Sequence, residues 1–217
     1  HTPYDTNETI FSATERPRHL AIIGGGPVGT ELAQAFARLG TRVTLLNSAS
    51  RLLSRDDEDA AAIVAQSLAE DGVHVMNAVT VDRVGHDGNH FALQLRGMSA
   101  SVPLLADRLL VAAGRSPNMQ GLGLDVAQVR CTPRGVVVDD RLRTTNHRIY
   151  AIGDVASSLQ FTHVADAQAR LVVANALFFG VGGGRVSSLT VPRVTYTDPE
   201  VAQVGLTAHE AAAAGQP

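Results

Sequence analysis

The sequence predicts an α/β fold: a parallel sheet with helices on both faces, carrying an antiparallel three-stranded meander. Three observations lead there. Short apolar runs alternate with helical stretches, as in βαβ units. A G-x-G-x-x-G turn separates the first run from the first helix. Residues 79–85, 90–96 and 101–105 then alternate apolar and polar residues, with turn signals at Asp87-Gly88-Asn89 and Gly97.

Taken in order, residues 1–17 are polar and irregular and read as a linker or an entering segment. Residues 20–23 form a buried parallel strand. Gly24 permits a tight exit from it, Gly26 lets a pyrophosphate approach the backbone, and Gly29 lets the next helix pack closely. Val28, Leu32, Phe36 and Leu39 fall on one face of that helix. Its N-terminal N–H groups and dipole suit an anion. The strand before the turn and the helix after it are the context that raises this motif above a plain β–α turn.

Residues 42–46 are the second strand. Residues 56–71 form an alanine-rich helix with acidic residues in its first turn and Gly72 just past its end. Residues 73–76 are a third strand. The meander follows as 79–85, 90–96 and 101–105. Residues 107–112 return as a strand and end at Gly114-Arg115-Ser116-Pro117-Asn118. Around Arg134 the chain changes character. Residues 135–139 are strand-like, and 149–152 are a short strand ending in Gly153-Asp154. Residues 161–179 form a long helix with Val164, Leu171, Val172 and Leu177 apolar. Residues 180–184 are a glycine break, 191–196 start a strand, and 208–214 start a helix. No internal repeat is visible.

At 217 residues and 45% hydrophobic content, the chain can bury a substantial core. A net charge of −3 with no basic block points away from nucleic acid. No apolar run approaches the roughly 18 residues needed to span a membrane. The single cysteine, Cys131, excludes an intrachain disulfide, and it reads as a buried or inert thiol. The eight histidines show no metal-ligand spacing. These features are compatible with the cytoplasm.

The end of the second strand decides between NAD and NADP in dinucleotide-binding folds. Here Asn47 stands where a carboxylate would bond the ribose hydroxyls. Asn47 can still hydrogen-bond a ribose. Ser48 and Arg51 suit a 2′-phosphate, with Arg55 a weaker candidate. Arg51 is equally well read as a solvated loop arginine. The expected cofactor is therefore NAD(P)H, with a slight lean to NADPH. Asp154, beside an unhindered turn, can accept hydrogen bonds from a polyol, although Gly-Asp also makes ordinary turns.

Four stretches together carry a resemblance: IIGGGPVGTELAQAFARLG, VAAGRSPN, IYAIGDVASSLQFTHVADAQAR and VTYTDPEVAQVGLTAHEA. In this order they resemble the flavin-dependent pyridine nucleotide–disulfide oxidoreductases, and GDVASSLQFTHVA is most like mercuric-reductase-type members. The resemblance implies a Rossmann-like NAD(P)-binding domain at 18–133, the C-terminal part of an FAD-binding domain at 134–184, and the start of a dimerisation domain at 185–217. It implies that Gly24, Gly26, Pro27, Val28 and Gly29 hold the nicotinamide dinucleotide, with Glu31 near its nicotinamide end. Glu31 is equally a favourable acidic residue near a helix N-terminus. Gly114 and Arg115 would close over the dinucleotide. Gly153 and Asp154 would bind the ribityl chain of FAD, Gln160, Phe161 and Thr162 would line the flavin, and Ala165 would let it approach closely. Phe161 also reads as a core residue.

The resemblance further implies hydride transfer from NAD(P)H to FAD, then electron transfer to a disulfide or metal-ion acceptor in a homodimer. The family's redox cysteine pair and its FAD-binding glycine turn are absent from this sequence. No catalytic residue is therefore expected here, and the chain alone is expected not to turn over. A non-catalytic nucleotide-binding module and a cysteine-less flavin oxidase or dehydrogenase are the alternative readings.

Overall fold

The computed structural model describes residues 2–96, 102–177 and 184–215. It divides into two compact units, one of residues 1–114 with 192–217, the other of residues 115–191. The expected turn at Gly97 and most of the glycine break at 180–184 lie outside the described residues.

In the first unit, β1 (His19–Ile23), α1 (Pro27–Arg38), β2 (Arg42–Leu46), α2 (Glu58–Glu70) and β3 (His74–Met76) follow one another as expected. The meander is β4 (Thr80–His86), β5 (Phe91–Arg96) and β6 (Leu104–Ala106), and β7 (Arg108–Val111) returns to the main sheet. That sheet has the order β3-β2-β1-β7, and every pairing in it is parallel.

Alternation along the strands sorts two apolar faces. Leu20 and Ile22 of β1, Val43 and Leu45 of β2 and Leu110 of β7 pack with Ala33 of α1 and with Ala61, Val64 and Leu68 of α2. Ala21, Leu46 and Leu109 point the other way, against Val79, Phe91, Leu93 and Ala106. The α/β class and the parallel sheet stand, but the helices do not cover both faces. α1 and α2 share one face, and the meander, not a helix, buries the other.

The apolar face expected for α1 is also rotated. Gly29, Thr30, Ala33 and Gln34 are its buried residues, Val28, Leu32 and Phe36 are half-buried, and Leu39 is exposed. Small residues bring the helix close to the sheet, and the larger ones pack at its flanks. Both helices end at a glycine, the second at the Gly72 expected from the sequence. Thr41 N–H bonds the Phe36 carbonyl past Gly40, and Val73 N–H bonds the Leu68 carbonyl past Gly72.

Residues 2–17 are no free linker. Asp5 bridges Leu110, its carboxylate pairs with Arg108, and Ile10 is fully buried. Residues 192–215, expected to open a separate domain, lie on this unit as a hairpin of β10 (Pro192–Thr195) and β11 (Val201–Val204), followed by α4 (Ala208–Ala213). β11 had no counterpart in the sequence reading. Gln34 fastens the hairpin. Its Oε1 accepts from Asp198 N–H at 2.8 Å and its Nε2 donates to the Asp198 carbonyl at 2.9 Å. Arg38 joins Asp71 to the Asp198 carboxylate.

The second unit is largely irregular. β8 (Cys131–Thr132) pairs with β9 (Gly135–Val136), which replaces the longer strand expected at 135–139. The expected strand at 149–152 is only a bridge between Arg143 and Tyr150, leading into a single 3-10 turn, Gly153–Val155. α3 (Thr162–Leu177) buries Val164, Gln168, Leu171 and Asn175. Cys131 is exposed, not buried.

Candidate functional site

The glycine turn is shaped by close approaches. Gly24 leaves β1 at φ +120°, and a Cβ there would strike the Ala112 carbonyl. A Cβ at Gly29 would strike the Gly24 carbonyl oxygen, so α1 rests directly on the turn. Gly25, which had no separate role in the sequence reading, is buried, and its Cβ would lie 2.6 Å from Asn47 Cγ and 2.7 Å from Leu52 Cδ2.

Gly26 is different. Its φ of −82° suits any residue, and nothing lies within 4 Å of where its Cβ would point. No protein atom requires glycine at this position. The open cradle sits at the N-terminus of α1, where the first-turn N–H groups lack helical acceptors. That fits a pyrophosphate laid against the backbone. Pro27 occupies the first helical position, where its missing N–H removes no helical bond. Val28 is half-buried beside it. Gly114, at the end of the β7 segment, likewise has open space where a Cβ would point.

The loop after β2 leans on this turn, with Leu53 N–H bonding the Gly25 carbonyl at 2.9 Å. Its polar residues are spent in building it. Asn47 is buried, and its Nδ2 donates to the Ala49 carbonyl at 3.2 Å, the Arg51 carbonyl at 2.8 Å and Asn77 Oδ1 at 2.8 Å. Arg51 donates from Nη1 to the Leu52 and Leu53 carbonyls and from Nη2 to the Ser54 and Asp56 carbonyls. Burial pushes the neighbouring Asp56 carboxyl up from its ordinary value, against the opposing pull of Arg193 and Arg51. Ser48 and Arg55 are exposed. Arg51 is thus neither a solvated loop arginine nor a free phosphate ligand.

Arg51→Ala is expected to loosen this loop, at about 1–3 kcal/mol for its lost hydrogen bonds. NADH and NADPH should weaken together, with their ratio unchanged in parallel titrations. Selective loss of NADPH would return Arg51 to the 2′-phosphate role.

Glu31 is also engaged: its Oε1 accepts from Tyr196 N–H at 2.8 Å. It lies in the first turns of α1, but its contact in this structure is with the hairpin segment.

The second unit brings three expected residues together. Arg115 Nη1 lies 3.6 Å from Asp154 Oδ2 and donates to the Gln160 carbonyl at 3.4 Å. Arg115, expected over the dinucleotide, therefore keeps company with the residues expected at the flavin. The Asp154 side chain is 51% exposed, so its carboxylate remains available to a ligand. Gly153, at φ +69°, has no room for a Cβ without pressing on Ala165, whose own Cβ would be 3.1 Å away. Ala165 thus serves the packing of turn on helix. Phe161 is half-buried and stacks on His163 with ring centroids 5.4 Å apart, and Thr162 is exposed. An exposed carboxylate on a tightly held turn, with aromatic and hydroxyl groups just beyond it, fits the polyol and ring of a flavin.

Two contributors escaped the sequence reading. Gly25 looked redundant within GGGPVG. Gln168 occupies an interior position of α3 between Val164 and Leu171, and a polar residue between two apolar ones at helical spacing was the available signal.

With this geometry the family follows: the chain belongs to the pyridine nucleotide-disulphide oxidoreductases, whose family model matches residues 3–169. Among its relatives, mercuric reductase of Streptomyces lividans is 42% identical over 214 residues, covering 98% of this chain and 44% of that protein. Dihydrolipoyl dehydrogenase of Bacillus subtilis is 36% identical over 205 residues, covering 94% of this chain and 44% of that protein. The solved HOCl-induced flavoprotein disulfide reductase RclA of Escherichia coli superposes with a TM-score of 0.88 at 34% identity, over 98% of this chain and 48% of that one. The chain spans less than half the length of each of these relatives. Among the described residues, no helix is long and apolar enough to cross a membrane.

Proposed function

We propose that the whole protein is an NAD(P)H-dependent FAD oxidoreductase, acting as a cytoplasmic homodimer on a disulfide or a metal ion. The observation that carries this reading is the open space at Gly26, glycine without any internal reason to be glycine, set at a helix N-terminus. The family assignment extends it to a second nucleotide. The names of the relatives suggest mercuric ion, or a small dithiol–disulfide couple, as the acceptor class.

On this reading the backbone of Gly24, Gly26, Pro27, Val28 and Gly29 binds the dinucleotide, with Gly114 beside it. Glu31 orients the approach to the nicotinamide end through its hold on Tyr196. Asn47 and Arg51 shape the adenosine side of the site, where Ser48 offers an exposed hydroxyl. Gly153 and Asp154 bind the ribityl chain, while Gln160, Phe161, Thr162 and Ala165 line the flavin. When bound, FAD supplies the electron-carrying chemistry, and the protein supplies position and water exclusion.

The test is to purify the full-length protein and titrate it anaerobically with NADH and NADPH. Bound flavin that bleaches with one or both nucleotides is expected. Nucleotide binding without any flavin would replace this reading with that of a non-catalytic module.

A further inference from the structure

We propose that Gln168 is a positioning residue for the flavin: its buried amide oxygen holds the Gly153 N–H and so fixes the turn that presents Asp154. This rests on the flavin reading of that turn.

Gln168 is 1% exposed, and its Oε1 accepts from Gly153 N–H at 2.7 Å. Gly153 is itself buried. Ile152 before it is extended, so the chain reverses sharply at this residue. The Gly153 carbonyl is held as well, accepting from Ala156 N–H at 3.0 Å and Ser157 N–H at 2.9 Å. The peptide groups on either side of Gly153 are thereby fixed, and Asp154 is the next residue. α3 meets this turn at two points, Ala165 by close contact and Gln168 by the hydrogen bond.

The choice of residue is informative. A leucine at position 168 would continue the stripe of Val164 and Leu171, and burying an amide in place of that leucine is unfavourable unless the amide is used. Here it is used on the N–H of Gly153, the residue just before Asp154. Without that acceptor the Gly153 N–H is orphaned in the interior and must turn towards another partner. Such a rotation carries the Asp154 carboxylate with it, while the glycine turn of the first unit is untouched.

The experiment uses full-length protein stripped of flavin and titrated with FAD by fluorescence, alongside an NAD(P)H titration. Gln168→Met keeps the volume and removes the oxygen. It is expected to bind FAD about tenfold more weakly, the lower end for an unpaired buried amide, with native NAD(P)H affinity. Gln168→Glu keeps the acceptor and is expected to restore FAD binding. Unchanged FAD affinity in Gln168→Met overturns the inference. So does an equal loss of both nucleotides, or a Gln168→Glu variant as weak as Gln168→Met. Native protein that takes up no FAD overturns the functional reading itself.

Discussion

Gly26→Ser is expected to fold as stably as the native protein and to lose dinucleotide affinity. Serine is a favoured residue at a helix N-cap, so the substitution satisfies α1 at least as well as glycine does. Its side chain enters space that no protein atom occupies. The only casualty is a ligand that lies against the backbone there. Losing one or two charge-assisted hydrogen bonds, at about 1.5–3 kcal/mol each, weakens NAD(P)H at least tenfold. Gly29→Ala is the contrasting case. Its methyl meets the Gly24 carbonyl oxygen, which is backbone and cannot swing aside. Overpacking of this kind costs about 1–3 kcal/mol. Chemical denaturation and nucleotide titration of the two variants separate the roles. Native affinity in Gly26→Ser would remove the pyrophosphate from this turn, and native stability in Gly29→Ala would refute the close contact.

Asp154→Ala is expected to yield a full-length protein of native stability that purifies without its yellow colour. The carboxylate is half-exposed, and its pair with Arg115 at 3.6 Å joins two solvated groups. Such a pair is worth about 0–1 kcal/mol. Its hydrogen bonds to a ribityl chain would be charge-assisted, so their loss weakens FAD by about 1.5–3 kcal/mol. Flavin content after gel filtration and the unfolding midpoint give the two readouts. A variant that keeps its flavin would show that Asp154 only shapes the turn.

Much of the fold was legible in the sequence because its signals are local. The strand at 42–46 appears where its apolar run put it, and α2 lies within two residues of the helix expected at 56–71 before Gly72. Irregular segments were less legible. The apolar run at 149–152 reads as a strand, yet it finds only one bridging partner and forms no ladder. The turn residues Gly24, Gly26 and Gly29 were legible because their spacing between an apolar strand and an amphipathic helix is a signature contained within a few residues. The polar residues were not. Arg51 and Asn47 read as ligands for a nucleotide, and the structure adds that both hydrogen-bond the backbone of their own loop, contacts the sequence did not suggest.

By itself, then, the sequence determined the α/β class, the glycine turn between the first strand and helix, and the family, through short-range patterns of apolar spacing and glycine placement. Tertiary structure alone decided that the meander covers the second face of the sheet, that Gln34 and Glu31 grip a segment 160 or more residues away, and that Gln168 serves Gly153. The physical reason is that apolar burial needs only a face, which periodicity reveals. A hydrogen bond needs a particular partner at a particular distance, and that partner is set by how the whole chain folds.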